Sequence, residues 1–272
     1  MSRASPTVRP PAPIPRAVTV VNENGASAYV LVCEHASNFI PPDYADLGLP
    51  PWELTRHIAW DIGAGSLASQ LSRRLDAPLF LAGHSRLLID CNRPLAAPSS
   101  IPTRSEATDI PGNHGLDEDE RQRRAAAYFT PFHARITEFL DRRVAAGRPA
   151  IVVGVHSFTP VFLGVRRPWQ AGVLYGRASA LGQALIAGLA AEAGLQVGEN
   201  EPYRITADED YTVPVHGDQR GIDAVLLEVR QDLLAAAGGP EEWASRLTAA
   251  MSAVAPQHST AVEAGATPAH QV

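Results

Sequence analysis

Reactive side chains accompany three short apolar segments of this sequence. His35 and His156 each come just after an apolar run, and Glu228 lies inside a third. Two imidazoles and a carboxylate are a common ligand set for catalytic zinc, which uses about three protein ligands and keeps one position for water or substrate. A further glutamate can take the proton from that water. The residue types therefore predict a zinc-dependent hydrolytic site with His35 and His156 as ligands.

Asp61 is the predicted third ligand, because a buried aspartate ahead of a glycine-rich helix start needs a polar partner. Two alternatives stay open at the level of the sequence. Asp61 could instead cap the helix predicted to begin near Ala64. Glu34 could be the ligand, although successive residues of an extended strand point to opposite faces, which directs Glu34 away from His35.

Each of these residues also has a purely structural explanation when it is taken alone. A histidine at a strand end is commonly a hydrogen-bonded structural residue. Asn92 and Arg93, which precede a proline, could form a turn with a surface arginine. Glu228 could be the outward residue of an edge strand. The hypothesis of one shared site depends on whether the fold brings the segments together.

The framework that would position these residues is an α/β fold with a mixed, largely parallel central sheet and helices on both faces. Apolar runs predict strands over 28–33, 78–82, 87–90, 150–155, 171–175 and 224–229. Helical spacing predicts helices over 64–75, 117–146 with a kink near Pro131, 178–193, 231–237 and 240–254. Ligands bind beyond the carboxyl ends of strands in such sheets, which is where the reactive residues would meet.

The 272 residues are sufficient for one large domain, predicted over 18–256. The proline-rich segment 1–17 is predicted to be a disordered arm, and 257–272 a disordered tail. Neither a secretory signal nor an apolar stretch of membrane-spanning length is recognisable, so a cytoplasmic protein without a membrane partner is expected.

Composition excludes several classes of chemistry. The net charge is −6 and no basic block stands out, which disfavours a nucleic-acid partner. All 23 basic residues are arginine, so Schiff-base catalysis and a lysine-containing phosphate loop are excluded. The two cysteines are too few for a disulfide framework. The oligomeric state cannot be inferred from these features.

Several sequence blocks resemble the N-formylglutamate amidohydrolase family. The blocks EHASNFIP, HIAWDIGA, SRLLIDCNRP, GVHSFTP, NEPY and LLEVRQDL run in order over about 30–243. The resemblance implies a phosphorylase/hydrolase-like fold related to zinc carboxypeptidases and aspartoacylase-like deacylases. It also implies hydrolysis of a linear amide in a small anionic N-acyl amino acid, with one zinc ion as cofactor.

The resemblance further implies roles for individual residues. His35 and His156 match the two histidine ligands of the family, and Glu228 matches its catalytic glutamate. The implied substrate-binding residues are Asn92, Arg93, Ser157 and Arg220. Two other functions stay open: a carboxypeptidase-like hydrolase of a peptide or cell-wall amide, and a metal-binding or small-molecule-binding protein without catalysis.

Overall fold

The structure is a computed structural model that describes residues 15–258, with the side chains of 255–258 left out of the description. Most of the predicted arm (1–17) and tail (257–272) therefore lies outside the described residues. The strands are β1 (Val18–Val21), β2 (Tyr29–Cys33), β3 (Leu79–Ala82), β4 (Arg104–Ser105), β5 (Thr108–Asp109), β6 (Ile151–Phe158), β7 (Val161–Phe162), β8 (Val165–Arg166), β9 (Ala171–Tyr175), β10 (Val197–Glu199) and β11 (Asp223–Arg230). The α-helices are α1 (Ala64–Leu75), α2 (Glu118–Arg124), α3 (Thr130–Ala145), α4 (Ser179–Ala190), α5 (Gln231–Ala235) and α6 (Gly239–His258).

Seven strands form the central sheet in the order β1-β3-β2-β6-β11-β9-β10. The four strands β3, β2, β6 and β11 are mutually parallel, whereas β1 and β9 run antiparallel to their neighbours β3 and β11. Every residue of β2 and of β6 is buried, because both faces of the sheet are covered. The predicted mixed, largely parallel sheet is confirmed.

The two faces of the sheet pack against different helices. One cluster of buried residues joins the sheet to α1, α4 and α6 and contains Leu227, while the other joins it to α3 and contains Leu226. Since successive strand residues point to opposite faces, Glu228 lies on the same face as Leu226, the face covered by α3. Helices on both faces are thus confirmed, and no helix within 15–258 is long and apolar enough to cross a membrane.

One predicted strand is wrong, because residues 87–90 do not join the sheet. Side chains rather than a neighbouring strand satisfy the carbonyls of the first two of these residues. Asn113 donates to the Leu87 carbonyl at 2.8 Å, and Arg124 donates to the Leu88 carbonyl at 3.0 Å. The apolar character of the segment reflects its burial under loops, which periodicity alone cannot distinguish from burial in a sheet.

The predicted helix over 117–146 forms as a continuous helical run that changes type near Pro131. A π-helical stretch, Ala125–Phe129, separates α2 from α3. Proline has no backbone N–H to donate to the preceding turn, so the hydrogen-bond ladder is disturbed there. The short strands β1 and β10 were not predicted, since runs of three or four residues carry little periodicity.

Candidate metal and substrate site

Three adjacent parallel strands deliver the reactive residues to one edge of the sheet. Glu228 on β11 is in register with His156 on β6, and His35 lies two residues beyond the end of β2. All three side chains are buried. The sheet topology therefore brings together the three residues that the sequence placed on separate strands.

His35, Asp61 and His156 form a compact buried group in which one potential ligand atom of each lies within 4.8 Å of the others. Asp61 Oδ2 is 3.3 Å from His35 Nδ1 and 2.9 Å from His156 Nδ1. The two imidazole rings are 4.9 Å apart and nearly perpendicular, with an interplanar angle of 75°. Two imidazole nitrogens and one carboxylate oxygen thus face a common point.

The loop before α1 holds Asp61 in this position. Its backbone N–H donates to the His35 carbonyl at 3.0 Å, and its own carbonyl accepts from Ala64 at 3.1 Å. Gly63 is the N-cap residue of α1, with φ of 83° and no side-chain cap. The Asp61 carboxylate therefore does not cap the helix and is directed to the two histidines instead.

A second carboxylate supports each histidine from the opposite side of its ring. His35 Nε2 is 2.8 Å from Asp90 Oδ1, and His156 Nε2 is 3.1 Å from Glu34 Oε2. For His35, an Nε2–H group directed at Asp90 leaves Nδ1 as the free ligand atom in the neutral tautomer. Glu34, the alternative ligand in the sequence analysis, thus lies on the outer side of His156.

The charge of this group is net negative when both histidines are neutral. Three buried carboxylates, those of Glu34, Asp61 and Asp90, are accompanied by one guanidinium, that of Arg86. Burial opposes ionisation of Glu34, but the charge and hydrogen bond of His156 outweigh burial and lower its pKa to about 2. Burial likewise opposes charging of the histidines.

Neighbouring charges nevertheless set the direction of the histidine pKa shifts. The pKa of His156 is raised well above its ordinary value because Glu34 and Asp61 outweigh the effect of burial. Burial and Arg86 also oppose protonation of His35, yet Asp90 and Asp61 raise its pKa. Both sites therefore favour added positive charge.

Arg86 and Asp90 are functional candidates that the sequence analysis did not single out. Arg86 Nη2 lies 2.7 Å from Asp90 Oδ2, and Nη1 lies 3.4 Å from Asp61 Oδ1. Both residues belong to the block SRLLIDCNRP. The four-residue spacing of Arg86 and Asp90 was the available signal in the sequence. It could be interpreted as an ion pair only once 87–90 was known not to be a strand.

Glu228 differs from the other carboxylates of the site because it forms no ion pair with a described residue. Its Oε2 atom is buried and forms no hydrogen bond to any described residue. Burial raises the pKa of Glu228 to about 7, with a smaller opposing effect from His156. A carboxyl group with a pKa near neutrality can exchange a proton readily at physiological pH, as a general base or acid must.

The Asn92–Arg93 pair is largely engaged with the protein itself. Asn92 Oδ1 accepts hydrogen bonds from the backbone N–H groups of Tyr211 and Thr212 at 3.2 and 3.0 Å. The Thr212 hydroxyl in turn donates to Glu34. Arg93 Nη1 lies 3.5 Å from Asp210 Oδ1. Asn92 therefore links the 211–212 backbone to the edge of the sheet.

The two remaining predicted substrate-binding residues lie in different places. Ser157 lines the same cavity as His156, and its hydroxyl donates to the Ile62 carbonyl at 2.9 Å. Arg220 does not line that cavity; it donates to Asp141 on α3 and borders a separate surface depression. The structure thus does not bring Arg220 to the histidines. The sequence around Arg220 did not indicate which way its side chain would point.

A cavity of about 500 Å³ opens over the histidines and Glu228. Segment 99–106 contributes one side of its lining, and Phe162 with Tyr203 contributes another. Arg167 fixes that second side, since its guanidinium lies 4.8 Å from the Phe162 ring and 4.7 Å from the Tyr203 ring. A cavity of this size is typical of small-molecule sites.

Comparisons with known proteins give one family and a shared fold. A family model described as N-formylglutamate amidohydrolase matches residues 27–235. The structure of a gene product from Agrobacterium tumefaciens matches with a TM-score of 0.86 and 42% identity, covering 89% of this chain and 96% of that one. An N-formylglutamate amidohydrolase from Ralstonia eutropha matches with a TM-score of 0.64 and 20% identity, covering 89% and 97% of the two chains. No curated protein matches the sequence.

Proposed function

The chain belongs to the N-formylglutamate amidohydrolase family, and we propose on this premise that it hydrolyses the amide bond of a small N-acyl amino acid. The proposed cofactor is one zinc ion held by His35, Asp61 and His156. The observation that carries the proposal is the position of the unpaired Glu228 carboxyl next to this three-residue group, in one cavity.

The residues fit a divalent metal in both donor chemistry and charge. Two Nδ1 atoms and one carboxylate oxygen are ligands that zinc prefers, and the cavity leaves space for a further ligand. Three buried carboxylates against Arg86 leave a negative excess, which the raised histidine pKa values also express. Metal binding would satisfy this excess while the histidines stay neutral.

When bound, zinc polarises an acyl carbonyl and lowers the pKa of water. Glu228 takes the proton from the attacking water and passes it to the departing amine nitrogen, since its carboxyl group lines the same cavity and its Oε2 atom has no hydrogen bond to residues 15–258. Arg86 lies beside Asp61 and lines the cavity, so its guanidinium stabilises negative charge that develops on the acyl oxygen.

Asn92 and Arg93, which line the same cavity, bind the substrate carboxylate. Arginine suits this role because its planar guanidinium can hold a carboxylate with two parallel hydrogen bonds. Ser157 lies next to His156 and contributes a polar wall. A small substrate is favoured over a polypeptide because segment 99–106 and Phe162 both line the cavity and limit its size.

A metal assay combined with a substrate panel tests the proposal. The purified protein should contain zinc, or bind it stoichiometrically, and should release formate or acetate from members of an N-acyl amino acid panel. Peptides of increasing length belong to the same panel. Protein that binds no zinc and is inert on all N-acyl amino acids would overturn the proposal, and preferential cleavage of peptides would replace its substrate class.

A further inference from the structure

The anion-binding end of the cavity already holds a carboxylate of the protein. Asp210 Oδ1 lies 3.4 Å from Asn92 Nδ2 and 3.5 Å from Arg93 Nη1. Both donors therefore face the same oxygen atom, and all three residues line the cavity. This is the pair of donors, hereafter the Asn92–Arg93 fork, that the proposed function assigns to the carboxylate of the substrate.

The contacts between Asp210 and the fork are weak. Hydrogen bonds between charged groups are usually about 2.7–2.9 Å long, much shorter than the two contacts observed here. Burial raises the pKa of Asp210 despite the Thr206 N–H and Arg93, which act in the opposite direction. A carboxylate in a strong ion pair would show a lowered pKa. Asp210 thus occupies the position between Asn92 and Arg93, but its contacts with both residues are weak.

A turn of the chain, rather than the fork, holds Asp210 in place. Its other oxygen, Oδ2, accepts a hydrogen bond from the Thr206 backbone N–H at 3.0 Å, and its own N–H donates to the Thr206 carbonyl at 2.8 Å. The Asp210 side chain is only 13% exposed, which shields it from water. The turn can keep its hydrogen bonds while the fork exchanges one carboxylate for another.

The neighbouring Glu209 contacts the same arginine in a different way. Its Oε2 atom is 3.7 Å from Arg93 Nε and accepts a hydrogen bond from the Ser99 hydroxyl at 2.6 Å. The Glu209 side chain is 55% exposed, so solvent screens its charge strongly. Glu209 therefore affects the fork less than Asp210 does and does not contact Asn92 in this structure.

We propose that Asp210 is a specificity-determining residue whose carboxylate occupies the Asn92–Arg93 fork and must be displaced by the carboxylate of the substrate. This inference rests on the proposed function for the identity of the displacing ligand. A simple monocarboxylate bound at the fork, such as a released acyl acid, has only the fork contacts to offset the displacement of Asp210. An N-acyl amino acid also occupies the end of the cavity near His35 and His156, so it competes more effectively.

The central experiment replaces Asp210 with asparagine, which keeps the shape and the Thr206 hydrogen bond but removes the charge. We expect Asp210→Asn to lower the KM for N-formyl-L-glutamate by about 2- to 12-fold, the range for losing one ordinary competing hydrogen bond, because the contacts of Asp210 with the fork are long. The dissociation constant of acetate, from thermal-shift titration of the zinc-loaded protein, should fall by a similar factor. The kcat should change by less than about two-fold, because Asp210 does not contact the reacting atoms.

Matched variants separate displacement from a general change in charge. Asp208→Asn makes the same charge change at an exposed position without a hydrogen bond or ion pair to residues 15–258, and it should leave KM and acetate binding unchanged. The effect of Asp210→Asn should also vanish in an Arg93→Ala background. An equal gain from Asp208→Asn, or a gain that persists without Arg93, would overturn the proposal.

The direction of the change in KM distinguishes a residue that competes for the fork from one that positions Arg93. If Asp210 instead positions Arg93, Asp210→Asn raises the KM and weakens acetate binding, and an unchanged KM rejects competition as well. Asp210→Ser provides a second variant, since its hydroxyl can still accept from Thr206 if asparagine disturbs folding. Acetate binding requires no turnover, so this arm gives a result even if the wild-type protein hydrolyses none of the N-acyl amino acids.

Discussion

Two groups of buried histidines in this protein have opposite electrostatic environments. The strand-end histidines, His35 and His156, each lie between two carboxylates, and their pKa values are raised. The core histidines, His84, His133 and His216, have no carboxylate in contact among residues 15–258, and burial lowers their pKa values. Burial is common to both groups, so the neighbouring residues decide whether a histidine favours a charge.

The core histidines are bound to one another and to the backbone instead. His133 Nε2 lies 2.7 Å from the Cys91 carbonyl, which requires a proton on that nitrogen. His133 Nδ1 then accepts from His216 Nε2 at 2.9 Å. These are hydrogen bonds between neutral rings, suited to packing between the sheet and α3. In this protein the neighbouring carboxylates, rather than burial, distinguish the candidate metal ligands from the structural histidines.

The largest expected effect comes from removing a strand-end histidine. His35→Ala and His156→Ala should each lose zinc and lower kcat/KM by on the order of 10³-fold or more, because several kcal/mol of charge stabilisation is lost with the metal. Zinc content by elemental analysis and the kinetics of hydrolysis measure both effects. The matched control is His133→Gln, which should keep its zinc and lose stability only. Equal zinc loss from the control would break the comparison.

The next largest effect is expected from Glu228, the carboxylate on β11 beside the strand-end histidines. Glu228→Gln should lower kcat by about 10²- to 10⁴-fold with little change in KM, because a base acts only on the way to the transition state. Its zinc content should stay at the wild-type level. Zinc loss in Glu228→Gln together with zinc retention in Asp61→Asn would show that ligand and base are exchanged between these two residues.

A smaller effect should follow from removing an outer carboxylate. Asp90→Asn takes away the negative charge behind His35 Nε2, and we expect zinc affinity to fall by about 10- to 100-fold. The chain offers a matched control in Asp109→Asn, since Asp109 also lies 2.8 Å from a histidine, His114, but at the surface. Competition with a coloured chelator compares the two variants. Equal affinities for both would show that the buried pair contributes nothing to the metal.

The smallest effect concerns the core histidines and appears in stability rather than activity. In the folded protein burial lowers the pKa of His84 and of His133 to about 4, and that of His216 to about 3. The unfolded chain binds these protons near pH 6.5, the ordinary pKa of histidine. As the pH falls below about 6.5, only the unfolded state gains protons, so the free energy of unfolding decreases.

Urea unfolding of the zinc-loaded protein between pH 7 and pH 5 measures this decrease before most carboxylates titrate. Each core histidine contributes up to about 1.4 kcal/mol per pH unit. His84→Gln should reduce the slope by up to that amount, since glutamine can still donate to the Ile89 carbonyl. Leu87→Ala provides the control, because it changes a buried side chain near His84 without removing a titratable group, so it should lower stability without changing the slope. An unchanged slope in His84→Gln would mean that His84 is protonated in the folded state.

The sequence alone determined the framework and the location of several residues of the candidate site. Buried runs such as β6 are continuous and apolar, and their alternation with helices is sufficient to predict a largely parallel sheet. Parallel strands put their carboxyl ends on the same edge, so His35, His156 and Glu228 were expected to meet. Asp61 was also named, although its choice over Glu34 needed the observed loop geometry.

Only the tertiary structure decided the partners of these residues. Asp90 meets His35 because 87–90 leaves the sheet, and Asp210 reaches Asn92 from 118 positions along the chain. Arg220 lies beside Asp141, although its charge alone resembled an anion anchor. The physical reason is that strand position follows from local pattern, whereas a side chain's charge state and hydrogen-bond partners depend on groups that are distant in sequence and adjacent only after folding.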